Sequence, residues 1–299
     1  MELGLNFPVT LENDHVIQSD QIFVRVIGKG VSGKELSSKF GRRDDPEYLS
    51  ELGSTLASLC RNVPGGVLVF FPSYRAMETA LERWGGPAPE RFGGGGGPGG
   101  GGGRGAAFFA AKKKRAASAK YVFPMVPPSF RVTTGDASPW QRLLSRKSIV
   151  LEPRSAADLS DAIAEYKKAL SKPKSTGAIL MGVCRGKISE GIDFSGACGL
   201  VASFFHQTSV VVDLTFSDVS DDMCRAVVVT GLPFPPFMDP KVKLKRDFLD
   251  AAKASAKARP SIDGGWSADK ALAVKKTLSG AEWYNQQAHR AVNQALGRV

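Results

Sequence analysis

Ala178-Ile179-Leu180-Met181-Gly182-Val183-Cys184-Arg185-Gly186-Lys187-Ile188-Ser189-Glu190-Gly191-Ile192-Asp193-Phe194 is the stretch on which the fold turns. Its first six residues are strand-like. The remainder is charged and punctuated by glycine. Loops at the carboxyl ends of parallel strands are where α/β proteins hold ligands. Gly186 and Gly191 let the backbone approach a phosphate or ribose closely. Arg185 and Lys187 can neutralise a phosphate, Ser189 can donate a hydrogen bond, and Glu190 and Asp193 can orient a ribose or a partner arginine. On spacing alone, a polar turn with incidental charges explains these residues equally well.

Outward from this stretch, apolar runs alternate with amphipathic ones. Ile22-Phe23-Val24-Arg25-Val26-Ile27 reads as a strand. Residues 46–61, with Leu49, Leu52, Leu56 and Leu59 three to four apart, read as a helix. Val67-Leu68-Val69-Phe70-Phe71, between Gly65-Gly66 and Pro72, is a buried strand, and 74–84 is the helix after it. Further on, 148–151, 178–183 and 225–230 are strand-like, while 156–170, 240–256 and 281–297 are helical. This alternation implies βαβ crossovers, a mostly parallel sheet and a three-layer αβα architecture.

Two segments break the rhythm. Residues 85–138 hold a glycine tract from Gly93 to Gly103, the run Lys112-Lys113-Lys114-Arg115, and Pro124, Pro127 and Pro128. Such composition buries too little apolar surface to offset chain entropy, so a disordered insertion is expected there. Residues 196–220 are apolar without a clean period of 2 or 3.6. They are expected to be an atypical insertion whose removal improves the fold.

Composition narrows the function. The 40 Lys+Arg against 29 Asp+Glu give a net charge of +11, which favours polyanions such as nucleic acid. Cys60, Cys184, Cys198 and Cys224 lack CxxC spacing, and three scattered histidines make a metal centre improbable. No signal peptide is visible, and no apolar run approaches the about 20 residues of a membrane helix.

Gly28-Lys29-Gly30-Val31-Ser32-Gly33-Lys34 imitates the phosphate-binding G-x-x-x-x-G-K pattern. The next residue is Glu35, where that chemistry needs a Ser or Thr hydroxyl on Mg²⁺, and a carboxylate there repels phosphate. A solvent loop after a strand is the better reading, and no DExH-type acidic box accompanies it.

Arg185 to Phe194 resembles motif V of the iron–sulfur superfamily 2 DNA helicases, and Val67 to Tyr74 resembles their motif IV. Gly231-Leu232-Pro233-Phe234-Pro235 with 239–245 resembles the segment after motif V. Glu282-Trp283-Tyr284, then Gln287, Arg290, Gln294 and Arg298, resemble motif VI. Phe7-Pro8-Val9-Thr10-Leu11-Glu12-Asn13 and Leu36-Ser37-Ser38 resemble the stretch that follows motif III in one branch of the family.

The resemblance implies the second RecA-like motor domain, with residues 1–84 as its first part and 139–299 as its second, ending inside motif VI. The implied activity is that of an ATP-dependent DNA helicase moving on one strand and unwinding duplexes in genome or telomere maintenance in the nucleus. ATP and Mg²⁺ would be shared with a first motor half, in cis or in trans, which alone would carry the P-loop, the acidic box and the iron–sulfur cluster. The DNA partner would be single-stranded or forked. Ser73, Tyr74, Arg185, Lys187 and Ser189 would line the single-strand path, where charge neutralisation and stacking suit unpaired bases. Glu190, Gly191 and Asp193 would couple that path to the nucleotide. Gln294 and Arg298 would reach the ATP, with Arg298 as an arginine finger. Without the resemblance, Ser73 is a helix N-cap and Arg298 a solvated arginine. Two other readings stand beside this one: a non-catalytic nucleic-acid-binding fragment, and an incomplete chain without independent activity.

Overall fold

The structure is a computed structural model that describes residues 24–39, 41–87, 121–126, 137–172, 176–191, 200–203, 224–258 and 277–296. These residues fall into two compact units. The larger comprises the described residues up to Leu232 together with 292–296, and the smaller comprises 233–258 and 277–291.

The centre of the larger unit is a pair of runs read as strands. Strands β2 (Gly66–Phe71) and β5 (Ala178–Val183) are buried along their whole length. They pair in parallel, from Gly66 opposite Ala178 to Phe71 opposite Val183. Successive side chains point to opposite faces. Val67, Val69, Phe71, Ile179 and Met181 therefore enter one core, and Leu68, Phe70, Ala178 and Leu180 enter the other. With β1 (Val24–Arg25), β3 (Val122–Phe123), β4 (Ser148–Leu151), β6 (Leu200–Ser203) and β7 (Ala226–Val229) the sheet has seven strands in the order β1-β6-β7-β2-β5-β4-β3. All neighbours are parallel except β3 against β4.

Helices cover both faces. On one lie α1 (Pro46–Asn62), α2 (Tyr74–Arg83) and α3 (Pro139–Leu144), which supply Leu52, Leu56, Met77, Leu81, Trp140 and Leu143 to the first core. On the other, α4 (Leu159–Leu170) supplies Ala162, Tyr166 and Ala169, and the short α5 (Lys187–Gly191) supplies Ile188. Val292 and Ala295, from the last turn of the final helix α7 (Gly280–Leu296), join this second core. The result is the expected α/β three-layer architecture with a mostly parallel sheet.

Local chemistry sets the element ends. Asp45 caps α1 by accepting from the Glu47 N–H at 2.9 Å, with Pro46 opening the helix. At the end of α2 the Gly85 and Gly86 N–H groups donate to Glu82 O at 3.1 Å and Leu81 O at 2.8 Å. This is a Schellman closure that places Gly85 at φ 78°, a conformation a side chain disfavours. Ser138 and Gln141 form a reciprocal capping box at the start of α3.

Four expectations need correction. Of the strand read at 22–27, the described part is a strand only over Val24–Arg25, with Ile27 in an isolated bridge. The helix expected from 156 begins at Leu159, because the Ser155 hydroxyl accepts from the Ala157 N–H and holds a turn. Within the expected disordered insertion 85–138, residues 121–126 are part of the fold. There Val122–Phe123 is an edge strand, with Tyr121 and Phe123 buried, and Trp140 N donates to Trp84 O at 3.2 Å across the excursion. Within the expected insertion 196–220, Leu200–Ser203 is β6, which lies between β1 and β7. The remainder of both segments lies outside the described residues, apart from residues 85–87 and 137–138.

In the smaller unit, α6 (Pro240–Ala258) carries Arg246 over the Phe237 ring at 4.0 Å and over the Tyr284 ring at 5.5 Å. Phe234 stacks on Tyr284 at 5.1 Å, and the Tyr284 hydroxyl donates to Pro235 O. Ser279 caps α7, and Glu282 accepts from the Ser279 N–H and hydroxyl, both at 2.7 Å, and from Lys253. These bonds, the Lys253 one foremost, hold the Glu282 carboxyl down at about 2. Among the described residues no helix is long and apolar enough to cross a membrane.

Candidate nucleic-acid interface

At the carboxyl end of β5 the chain leaves the sheet through Cys184, whose N–H still donates to Phe71 O at 2.8 Å. Arg185 then takes φ 61°, the left-handed region that costs a residue with a side chain about 1 kcal/mol or more. Gly186 N donates to Val183 O at 2.8 Å and closes the turn, and α5 begins at Lys187. The buried Ser189 hydroxyl donates back to Gly186 O at 2.9 Å. Arg185 is exposed and Lys187 half-buried.

A carboxylate that no motif contains holds this turn. Glu152 follows β4 and is 0% exposed. Its Oε2 accepts from the Val183 N–H at 2.7 Å and its Oε1 from the Ile188 N–H at 3.3 Å. Burial pushes the Glu152 carboxyl above its ordinary value, and these donors oppose that shift without cancelling it. A Cβ on Gly186 would lie 2.7 Å from Oε1 and 2.8 Å from Oε2, and one on Gly182 would lie 2.9 Å from Oε2. Both glycines are therefore required by the carboxylate's position.

Ser73 and Tyr74 stand at the carboxyl end of the adjacent strand β2. Ser73 is the N-cap of α2 and accepts from the Ala76 N–H at 3.2 Å, the structural role open to it from sequence alone. Tyr74 is half-buried, and Arg154 lies over its ring at 5.2 Å. Arg154 pairs with Glu78 at 2.5 Å, and the Lys187 ammonium donates to Arg154 O. Arg154 thus joins the Tyr74 ring to Lys187, and Glu152 holds the backbone of the same turn. Burial, with Glu152 beside it, pushes the Tyr74 hydroxyl up, so it remains a donor.

The family described as the helicase C-terminal domain matches residues 118–203 and 217–299, more than half of the chain. The chain belongs to this family. Over all 299 residues the helicase domain is 36% identical to the regulator of telomere elongation helicase 1 homolog of Oryza sativa subsp. japonica, of which it covers 22%. It is 38% identical to regulator of telomere elongation helicase 1 of Bos taurus and 37% identical to that of Homo sapiens, covering 17% of each. It thus spans about a fifth of the length of these curated relatives. The family match breaks only at 204–216, a shorter interruption than the 196–220 expected from sequence, and takes in β3 and β6.

Of the residues singled out from sequence, the helicase domain brings Tyr74, Lys187 and the Arg185–Ser189 turn together through Glu152 and Arg154. Glu190 and Gly191 are the last two residues of α5. Gln294 is exposed near the end of α7. Asp193 and Arg298 lie outside the described residues. The residue missed was Glu152. Its one signal is an acid placed directly after a fully buried strand, where a charge needs partners.

The phosphate-loop imitation is an antiparallel turn in which Lys29 bridges to Glu35 and Leu36 N donates to Gly28 O. The Glu51 carboxylate accepts from the Ser32 N–H at 2.7 Å and the Ser32 hydroxyl at 2.6 Å. An anionic side chain thus already occupies donors that a phosphate would need. Cys60, Cys184 and Cys224 are buried, and burial pushes each thiol up to about 12, so none is a ready nucleophile.

Proposed function

We propose that this chain is the second motor half of an ATP-dependent DNA helicase that moves along single-stranded DNA and unwinds duplexes in genome or telomere maintenance in the nucleus. The observation that carries the reading is the turn at 184–189, strained at Arg185 and held by Glu152 next to the Tyr74 ring. The names of the relatives support the helicase and telomere parts of it.

In this reading Arg185 and Lys187 neutralise successive phosphates, and a base stacks on the Tyr74 ring. An ammonium has three donors, so Lys187 can keep its bond to Arg154 O while meeting a phosphate. Ser73 and Ser189 fix the backbone of the path. Glu190, Gly191 and Asp193 relate the path to nucleotide, and Gln294 and Arg298 reach toward it. ATP and Mg²⁺ are held by the first motor half, since Glu51 fills the imitation phosphate loop here. In this reading the iron–sulfur cluster, like the P-loop, belongs to the first motor half.

The test is fluorescence anisotropy of labelled single-stranded DNA with the purified chain. Raising salt from about 50 to about 200 mM is expected to weaken binding about tenfold or more if a few phosphates are neutralised. Tyr74→Ala is expected to cost about 1–3 kcal/mol from lost stacking. Salt-insensitive binding, or a Tyr74→Ala variant that binds as tightly as the parent, contradicts the assigned path. The non-catalytic nucleic-acid-binding reading makes the same binding prediction. It differs in expecting no DNA-stimulated ATP turnover when the chain is joined to a P-loop half.

A further inference from the structure

Arg154 belongs to none of the motifs read from the sequence, yet it stands where two of them meet. β4 and β5 run in parallel, with Leu151 opposite Met181, so the residues after β4 emerge on the same edge of the sheet as the 184–189 turn. The first two, Glu152 and Pro153, are buried, and the Glu152 N–H donates to Met181 O at 2.8 Å. They fix the backbone from which the exposed Arg154 projects. Its carbonyl accepts from the Lys187 ammonium, and its guanidinium lies over the Tyr74 ring, 5.2 Å from the centroid. One guanidinium nitrogen, Nη2, donates to Glu78 Oε1 at 2.5 Å. Glu78 lies one turn after Tyr74 on α2, and its side chain is 16% exposed against 41% for that of Arg154. An ion pair with one partner this open adds little to folding stability. A guanidinium carries five N–H donors in a rigid fork, of which Glu78 engages one nitrogen, and such a fork suits the oxygens of a phosphate.

We propose that Arg154 is a further DNA-binding residue: Glu78 anchors one side of its guanidinium, and its other donors meet the phosphate of the nucleotide whose base stacks on Tyr74. This rests on the single-strand path proposed above and extends that path to a third strand end, that of β4. The rival role for Arg154 is to mask the Glu78 carboxylate, which would otherwise repel the DNA backbone. Salt dependence separates the two. A phosphate contact releases counterions and steepens the fall of log affinity with log salt by about 0.7 on a single strand. A mask is needed only while the carboxylate is there.

The experiment measures anisotropy of labelled oligothymidylate with the full chain between about 50 and about 200 mM salt. The variants are Arg154→Gln, Arg154→Lys and the double variant Arg154→Gln with Glu78→Gln, with Tyr74→Ala as reference. Arg154→Gln is expected to weaken binding about tenfold at the lower salt, the equivalent of one hydrogen bond to a charged group. The double variant is expected to stay weak, with a slope shallower than the parent's by about 0.7. Arg154→Lys keeps the charge and is expected to keep the parent's slope. Tyr74→Ala is expected to weaken binding at an unchanged slope, because stacking releases no counterion. If Arg154→Gln alone fails to fold, the double variant, which leaves no carboxylate without its partner, still decides. A double variant with the parent's affinity and slope overturns the proposal and leaves Arg154 as a mask for Glu78. A double variant that is weakened but keeps the parent's slope overturns it as well, and leaves Arg154 as a support for the Tyr74 ring. Either result alongside steep salt dependence in the parent removes this inference alone, whereas salt-insensitive binding by the parent removes the single-strand path and this inference with it.

Discussion

Gly186 shows how closely the site is fitted at the level of single residues. A methyl group there would meet both Glu152 oxygens and Val183 O within 2.8 Å, so Gly186→Ala must displace either the carboxylate or the turn. Overpacking of this kind costs about 1–3 kcal/mol. Urea unfolding of Gly186→Ala is expected to show a loss in that range, and an unchanged midpoint would mean that the turn is slack. The same residues mark the limit of what sequence can say. Arg185, Lys187 and Ser189 could be singled out because their types and spacing resemble a motif. Glu152 could not, because its partners are the backbone N–H groups of Val183 and Ile188, and no side-chain pattern announces where those point. Of the two readings of Ser73, helix cap and strand-path residue, the geometry shows the cap.

Among the elements, the buried strands and the amphipathic helices were readable because their periods follow from which faces they bury. Val67-Leu68-Val69-Phe70-Phe71 is continuous and apolar because both of its faces are covered. The short strands were not readable. Val122–Phe123 and Leu200–Ser203 span too few residues to show alternation, and their partners lie far along the chain. The consequence is a reversal for 196–220. The sequence pattern expects its removal to improve the fold, but Leu200–Ser203 bridges β1 to β7. Joining Ser195 to Asp221 is therefore expected to lower the thermal midpoint and to detach β1. A deletion variant that melts higher than the parent would show that β6 adds nothing to the sheet.

For the whole molecule, the sheet places the carboxyl ends of β2 and β5 side by side, and that adjacency turns motifs IV and V, separated by about a hundred residues, into one site. On the proposed function, the net charge of +11 would supply the general attraction to a polyanion, and the turn beside Tyr74 would supply a location for it. The loop at 28–34 offers glycines and lysines as well, but Glu51 answers its donors from within the fold. Location of DNA contacts is therefore what distinguishes the proposed motor half from a merely basic surface. The direct measurement is photocrosslinking of bromodeoxyuridine-substituted single-stranded DNA to the full chain, with the crosslinked peptides mapped by mass spectrometry. The account predicts crosslinks in the peptides containing Tyr74 and residues 184–189, diminished together at high salt. Crosslinks confined to residues 28–34 or to the Lys112–Arg115 run, with none at Tyr74 or the turn, would contradict it.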